Sequence, residues 1–209
     1  MKRLTILMLV LAACMAIPTR VSAQFDLGKA FSSLMGSNED KPSPYELIAQ
    51  NAPKSSDIVG VWVYDRADIE YLGNNILAEY AIDEVKSYAL SELRSAGVTP
   101  GSATLTVKRN GSGSIKWGDE SLLGKYTYNE SNGSLVITAE IEGHKVTCNG
   151  FIRLVDNRLT VLIDANNALS AFKTAYPSES NSTVVAIAEG VLNNFSQIFG
   201  AAQFVKRGK

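Results

Sequence analysis

Between residues 104 and 164 apolar side chains recur at every second position, and a turn signal interrupts the pattern about every ten residues. "TLTVKR" (104–109) and "SIKW" (114–117) flank Asn110-Gly111, and "GKYTYN" (124–129) and "LVITAEI" (135–141) flank Asn132-Gly133. Gly143 turns the chain into "HKVTCNGFIRL" (144–154), and Asp156-Asn157 into "RLTVLID" (158–164). A period of two sends successive side chains to opposite faces, which is a strand property and excludes an amphipathic helix. Connections this short join antiparallel neighbours, so the six runs describe a meander. Both Asn-Gly pairs read as two-residue turns with positive φ at each central residue. In the fifth run Val146, Cys148, Ile152 and Leu154 share a face, and Gly150 lets the strand bend.

The flanks supply two more strands and the helices. Residues 57–66, which include "IVGVWVY", read as the first strand, followed by an irregular link to Gly73. Asn74 or Asn75 can cap a helix running to about Ala96, with Leu77, Ala81, Val85, Tyr88, Ala89 and Leu93 on one face. Gly97 suits its C′ position and Pro100 follows just beyond. Asp164 can cap a second helix, 165–176, with Ala165, Leu169, Phe172 and Tyr176 on one stripe. After a break at 177–180, a third runs from Ser182 or Thr183 to about Gln197, with Val184, Ile187, Val191 and Phe195 inward. "GAAQFVKR" (200–207) is the final strand. Eight antiparallel strands of this length can close into a barrel, which removes sheet edges. The expected class is therefore mainly β with helices (α+β), an eight-stranded antiparallel barrel with inserted helices.

Residues 1–23 do not fit this core. Lys2 and Arg3 precede an apolar run to residue 17, Pro18 breaks it, and Val21-Ser22-Ala23 suits a signal-peptidase site. The run is too short for a membrane span. We expect an export signal over 1–23, a helical arm and linker over 24–56, and the barrel over 57–209. Within the arm, Leu27, Phe31, Leu34 and Met35 have helical spacing, "GSNEDKPSP" (36–44) is a linker, and a short helix fits Tyr45 to Gln50. The rival processing route is a lipobox at Leu11-Ala12-Ala13-Cys14, with a lipid anchor on Cys14. Cleavage after Ala23 removes three cations and no acid, taking the formal charge from −1 to −4. A mildly acidic product offers no electrostatic footprint for nucleic acid. It also leaves Cys148 as the lone cysteine, expected as a buried thiol, so packing and not a disulfide must hold the fold.

Gly60-Val61-Trp62 at the head of the first strand resembles the Gly-x-Trp of lipocalins. That resemblance implies a tryptophan plugging the narrow barrel end and an arginine of the last strand stacked on it. Lys206 and Arg207 are the candidates of that type here. "GVW", "AGVTPGSATLTVKRNGSGSIKW", "GKYTYNESNGSLVIT", "LTVLIDANNAL" and "GAAQFVKR" together resemble an uncharacterised lipocalin-like family (a domain of unknown function) exported by Gram-negative gut bacteria. This implies a lipocalin-like fold and an exported location, in the periplasm, at the cell surface or secreted. It carries over no catalytic residue.

Chemistry-bearing motifs are sparse. His144 and Cys148 lie four residues apart on one strand, about 13 Å at about 3.4 Å per residue, too far for a nucleophile–base pair. "NGSGS" (110–114) joins two strands and opens no helix, so it lacks the anion site of a phosphate loop. "DRADIE" (65–70) lacks the glycine and closing glutamate of a calcium loop. No catalytic residue, metal site or cofactor is expected, and no enzymatic activity. The aromatics Trp62, Tyr64, Trp117, Tyr126, Tyr128 and Phe151 are the candidate ligand-binding set, either lining a cavity or filling the core. Two readings of function stay open: binding of a small apolar molecule or lipid in the cell envelope, and an interaction module whose partner is another envelope protein.

Overall fold

A computed structural model of the chain describes residues 44–73, 76–195 and 197–207. The expected leader, the Cys14 alternative, the helix around Leu27–Met35 and the Asn74/Asn75 cap lie outside them. The order is α1 (Pro44–Gln50), α2 (Ser55–Ile58), β1 (Gly60–Tyr71), α3 (Ile76–Ser95), β2 (Ala103–Val107), β3 (Ser112–Trp117) and β4 (Glu120–Tyr128). Then come β5 (Ser134–Ile141), β6 (His144–Val155), β7 (Arg158–Asp164), α4 (Ala165–Ala175), α5 (Thr183–Asn194) and β8 (Ile198–Lys206). Each strand pairs antiparallel with its sequence neighbour, and β1 also pairs with β8, so the sheet closes into an eight-stranded barrel.

The first strand departs from expectation at both ends. It starts at Gly60, because Ser55–Ile58 forms a single helical turn. Gly60 sits at φ +143°, a conformation closed to L side chains, and there the chain swings from α2 into β1. At its far end β1 runs on to Tyr71 where a link is expected. A bulge at Asp65 shifts the register between Tyr64↔Phe204 and Arg66↔Gln203. The extra residue switches the inward parity, so Trp62 and Tyr64 precede it on the core side and Ile69 follows it there.

The turns divide by chemistry. Glu142-Gly143 and Asp156-Asn157 have positive φ at both residues, as a two-residue hairpin turn requires. At the two Asn-Gly sites only Gly111 and Gly133 do, against expectation. Asn110 and Asn132 instead use their side chains, accepting from the backbone N–H groups of Ser112 and Ser134, which builds longer loops with one left-handed glycine. Gly150 serves close approach as well as bending: a Cβ there would meet the Leu162 carbonyl oxygen at 1.8 Å.

The helices pack apolar faces onto the barrel core. On α3, Ile82, Ala89 and Leu93 are buried; Ala89 and Leu93 were on the expected face and Ile82 was not, while the side chains of Leu77, Ala81, Val85 and Tyr88 lie outside the described residues. Asp164 caps α4 by accepting from Asn167 N–H, as expected, and Ala165, Leu169 and Phe172 are buried. On α5 the buried residues among those described are Val185, Ala188, Val191 and Leu192; of the expected positions Val191 is buried and Phe195 half-buried, while the side chains of Val184 and Ile187 lie outside the described residues. These residues join Trp62, Tyr64, Leu159 and Phe204 in one core. Among the described residues no helix is long and apolar enough to cross a membrane.

Candidate functional site

The segment before β1 is a strap across one end of the barrel. Ile48 of α1 is buried against Leu162 and Phe199 on the outer wall, and Tyr45 packs edge-on to Phe151, 5.6 Å between ring centres. The Leu154 N–H donates to the Asn51 carbonyl (3.0 Å) and the Tyr128 hydroxyl to the Pro53 carbonyl (2.7 Å). Glu130, at the β4–β5 turn, hydrogen-bonds Ser55, which holds its carboxyl below the usual range. The strap ends at Ile58, fully buried, whose carbonyl accepts from the Trp62 indole N–H at 2.8 Å. On the indole's face, Lys206 Nζ stands 5.1 Å from the ring centre. Lysine thus takes the stacking place that the lipocalin resemblance gives to arginine, as a cation on an aromatic face.

Above this plug the barrel is hollow. A cavity of about 240 Å³ lies among the strands, with Ile58 of α2 and Ala168 of α4 also lining it. Ile115, Leu122, Ile137, Val161, Ile163 and Ala202 point into it and stay only half-buried, which side chains facing a filled core do not. The space arises where inward positions carry small residues. Gly113 and Gly124 face one another across β3 and β4, Ala139 neighbours Gly124, and Ala202 and Gly200 stand on β8. Replacing any of these by a leucine would fill part of the volume.

Of the six aromatics expected at the site, Tyr126 alone lines the cavity. Its hydroxyl reaches out to the Lys108 carbonyl (2.7 Å), and burial raises its pKa. Trp62 is the plug. Tyr64 is core, edge-on to Phe204 at 5.9 Å. Trp117 packs partly buried against the main core. Tyr128 is committed to the strap, its pKa pushed up to about 12 by burial, with Glu130's charge adding to it. Phe151 belongs to the outer wall, between Tyr45 and Phe199. Its neighbour Ile152 is the inward residue, as the alternation in β6 implies. The walls are mainly aliphatic instead, at positions that strand parity in the sequence marks.

Cys148 and His144 do not meet. Cys148 faces the cavity, half-buried where a buried thiol was expected, with Sγ 3.9 Å from the Asn167 carbonyl oxygen. Burial first, and the Asp164 charge second, push its pKa up to about 11. His144 is exposed at the β5–β6 turn. The acids of "DRADIE" are taken up separately: Asp65 by Arg158, Asp68 by Lys86 of α3 (2.5 Å) and Glu70 by Arg153 (2.5 Å). Among the described residues no cluster of metal-ligating side chains occurs.

A search of curated proteins finds no match to the chain. Among solved structures, one mutant of the fluorescent protein UnaG aligns over 75% of this chain and 100% of its own, at 11% identity and a TM-score of 0.33. Residues 44–203 match the family described as Lipocalin-like domain (DUF4923), a match that begins at the strap and ends in β8. The chain belongs to this lipocalin-like family.

Proposed function

We propose that the protein is a non-enzymatic binder of a small apolar molecule, held inside the barrel. The carrying observation is the hollow itself: inward aliphatic side chains from seven strands surround about 240 Å³ that no described side chain fills. An apolar cavity of this kind stays dry, since water would lose its hydrogen bonds there. Filling it with apolar atoms restores the lost contacts of the wall. The binding energy therefore comes from apolar burial, at about 25 cal/mol per Å².

We further propose that residues 1–23 direct export and that the mature chain starts at Gln24, which would place the binder in the cell envelope or outside the cell. The leader's basic start, apolar run and Val-Ser-Ala end support this. The test of both parts is mass spectrometry on the protein from its native host. Native conditions should show an apolar molecule released by organic solvent, and denaturing conditions a mass starting at Gln24. Apo protein that takes up no apolar probe would overturn the first part, and a diacylglycerol adduct on Cys14 the second.

A further inference from the structure

The geometry points to an uncharged ligand of about ten to fifteen non-hydrogen atoms, and away from long-chain fatty acids or other anionic lipids. This inference rests on the reading of the barrel as a binding site and narrows what it takes.

Charge is the first ground. Among the described residues that line the cavity, the cationic one is Lys125. Its position on β4 alternates with inward Gly124 and Tyr126, and it is exposed to solvent. The arginines of the barrel wall lie on the opposite surface, Arg66 with Gln203, Arg153 with Glu70 and Arg158 with Asp65. The Lys206 ammonium stands over the Trp62 ring at the plug, and Lys206 does not line the cavity. A carboxylate or phosphate drawn into this interior would meet mainly aliphatic carbon, the Tyr126 and Phe204 rings, and a thiol raised to a pKa of about 11, which stays protonated at neutral pH. A buried anion without a partner is strongly disfavoured.

Size is the second. A dry cavity of about 150 Å³ lined by Leu, Ile and Phe accommodates benzene, six heavy atoms. By the same proportion the 240 Å³ here suits about ten. Relaxation of half-buried residues such as Ile137 and Val161 extends this to about fifteen. An alkyl chain of sixteen carbons with a head group exceeds it.

The polar capacity is the third. Tyr126 spends its hydroxyl proton on the Lys108 carbonyl, the Cys148 thiol faces Asn167, and Ser114 alternates on β3 with inward Gly113 and Ile115. The thiol is a weak donor and acceptor, so at most one weakly polar group of the ligand, such as a hydroxyl, is accommodated along this wall.

Three probes of graded chemistry test this at pH 7.5 by calorimetric titration of the delipidated protein: 1-naphthol, 1-naphthoate and palmitate. The first two differ in charge at nearly equal size, and the third is both longer and anionic. Two cavity-filling variants, Ala139→Leu and Ala202→Leu, are measured beside the parent, with circular dichroism to confirm folding. Binding of 1-naphthol at least tenfold tighter than 1-naphthoate, weakened at least tenfold in a folded filling variant, is the expected result. Binding of 1-naphthoate or palmitate as tight as 1-naphthol, still lost in the filling variants, overturns the charge and size inference and leaves the barrel a binding site. No binding by any probe, or binding undiminished in both folded variants, overturns the binding site as well.

Discussion

The Trp62 indole N–H donates to the Ile58 carbonyl at 2.8 Å, joining the head of the first strand to the helical turn just before it. Gly60 between them, at φ +143°, is what lets the chain double back closely enough. One bond thus ties the strap to the barrel and satisfies a buried donor that would otherwise be orphaned.

Trp62 is 1% exposed, and truncating it to alanine removes a large aromatic from the plug. The expected loss is about 3–5 kcal/mol in a denaturant titration. Trp62→Phe keeps most of the bulk and removes the donor, so it should lose less, about 1–2 kcal/mol. A Trp62→Ala midpoint equal to that of the parent would remove Trp62 from the plug.

Lys206 covers the same indole from the solvent side. Lys206→Met keeps an apolar stem and deletes the charge, and the expected cost is modest, about 0.5–1 kcal/mol. Lys206→Arg should retain stability, since a guanidinium stacks on an aromatic face at least as well. Chemical denaturation of the three proteins checks the order; a methionine variant more stable than the arginine one would refute the cation–ring contact.

Cys148 should react slowly with iodoacetamide at pH 7, because a thiol with a pKa of about 11 holds little thiolate there. Its stability contribution has a defined sign. Below about pH 9 the thiol is protonated in both states; between 9 and 11 the unfolded chain ionises first, so stability falls as pH rises through that window. The thiol is partly exposed, so the loss is smaller than the shift alone suggests. Cys148→Ala should flatten that part of the pH profile. Rapid labelling at pH 7 would show an accessible, activated thiol.

The barrel was readable in the sequence because its signals are local. Alternation of Leu135, Ile137, Ala139 and Ile141, and a turn signal after each run, fix strand and neighbour without tertiary knowledge. The Ser55–Ile58 turn was hidden because Ile58 begins an apolar run that continues as strand, and the break at Gly60 shows only in its φ. The Asp65 bulge has no side-chain signature at all. The site was less legible. Aromatics drew attention to Phe151, although the parity shared by Val146, Cys148 and Ile152 puts it on the outer wall. The hollow depends on Gly113, Gly124, Ala139 and Ala202 meeting from four strands, and only barrel closure brings β8 to the same volume.

Whether the interior is hollow decides the account, and a crystal of the delipidated protein pressurised with xenon measures it directly. Xenon occupies dry apolar cavities and leaves filled cores empty. A xenon peak among Ile137, Val161 and Ala202, with none in Ala139→Leu crystals, is the result a hollow barrel predicts. A barrel with side chains collapsed into that volume and no xenon inside would contradict it.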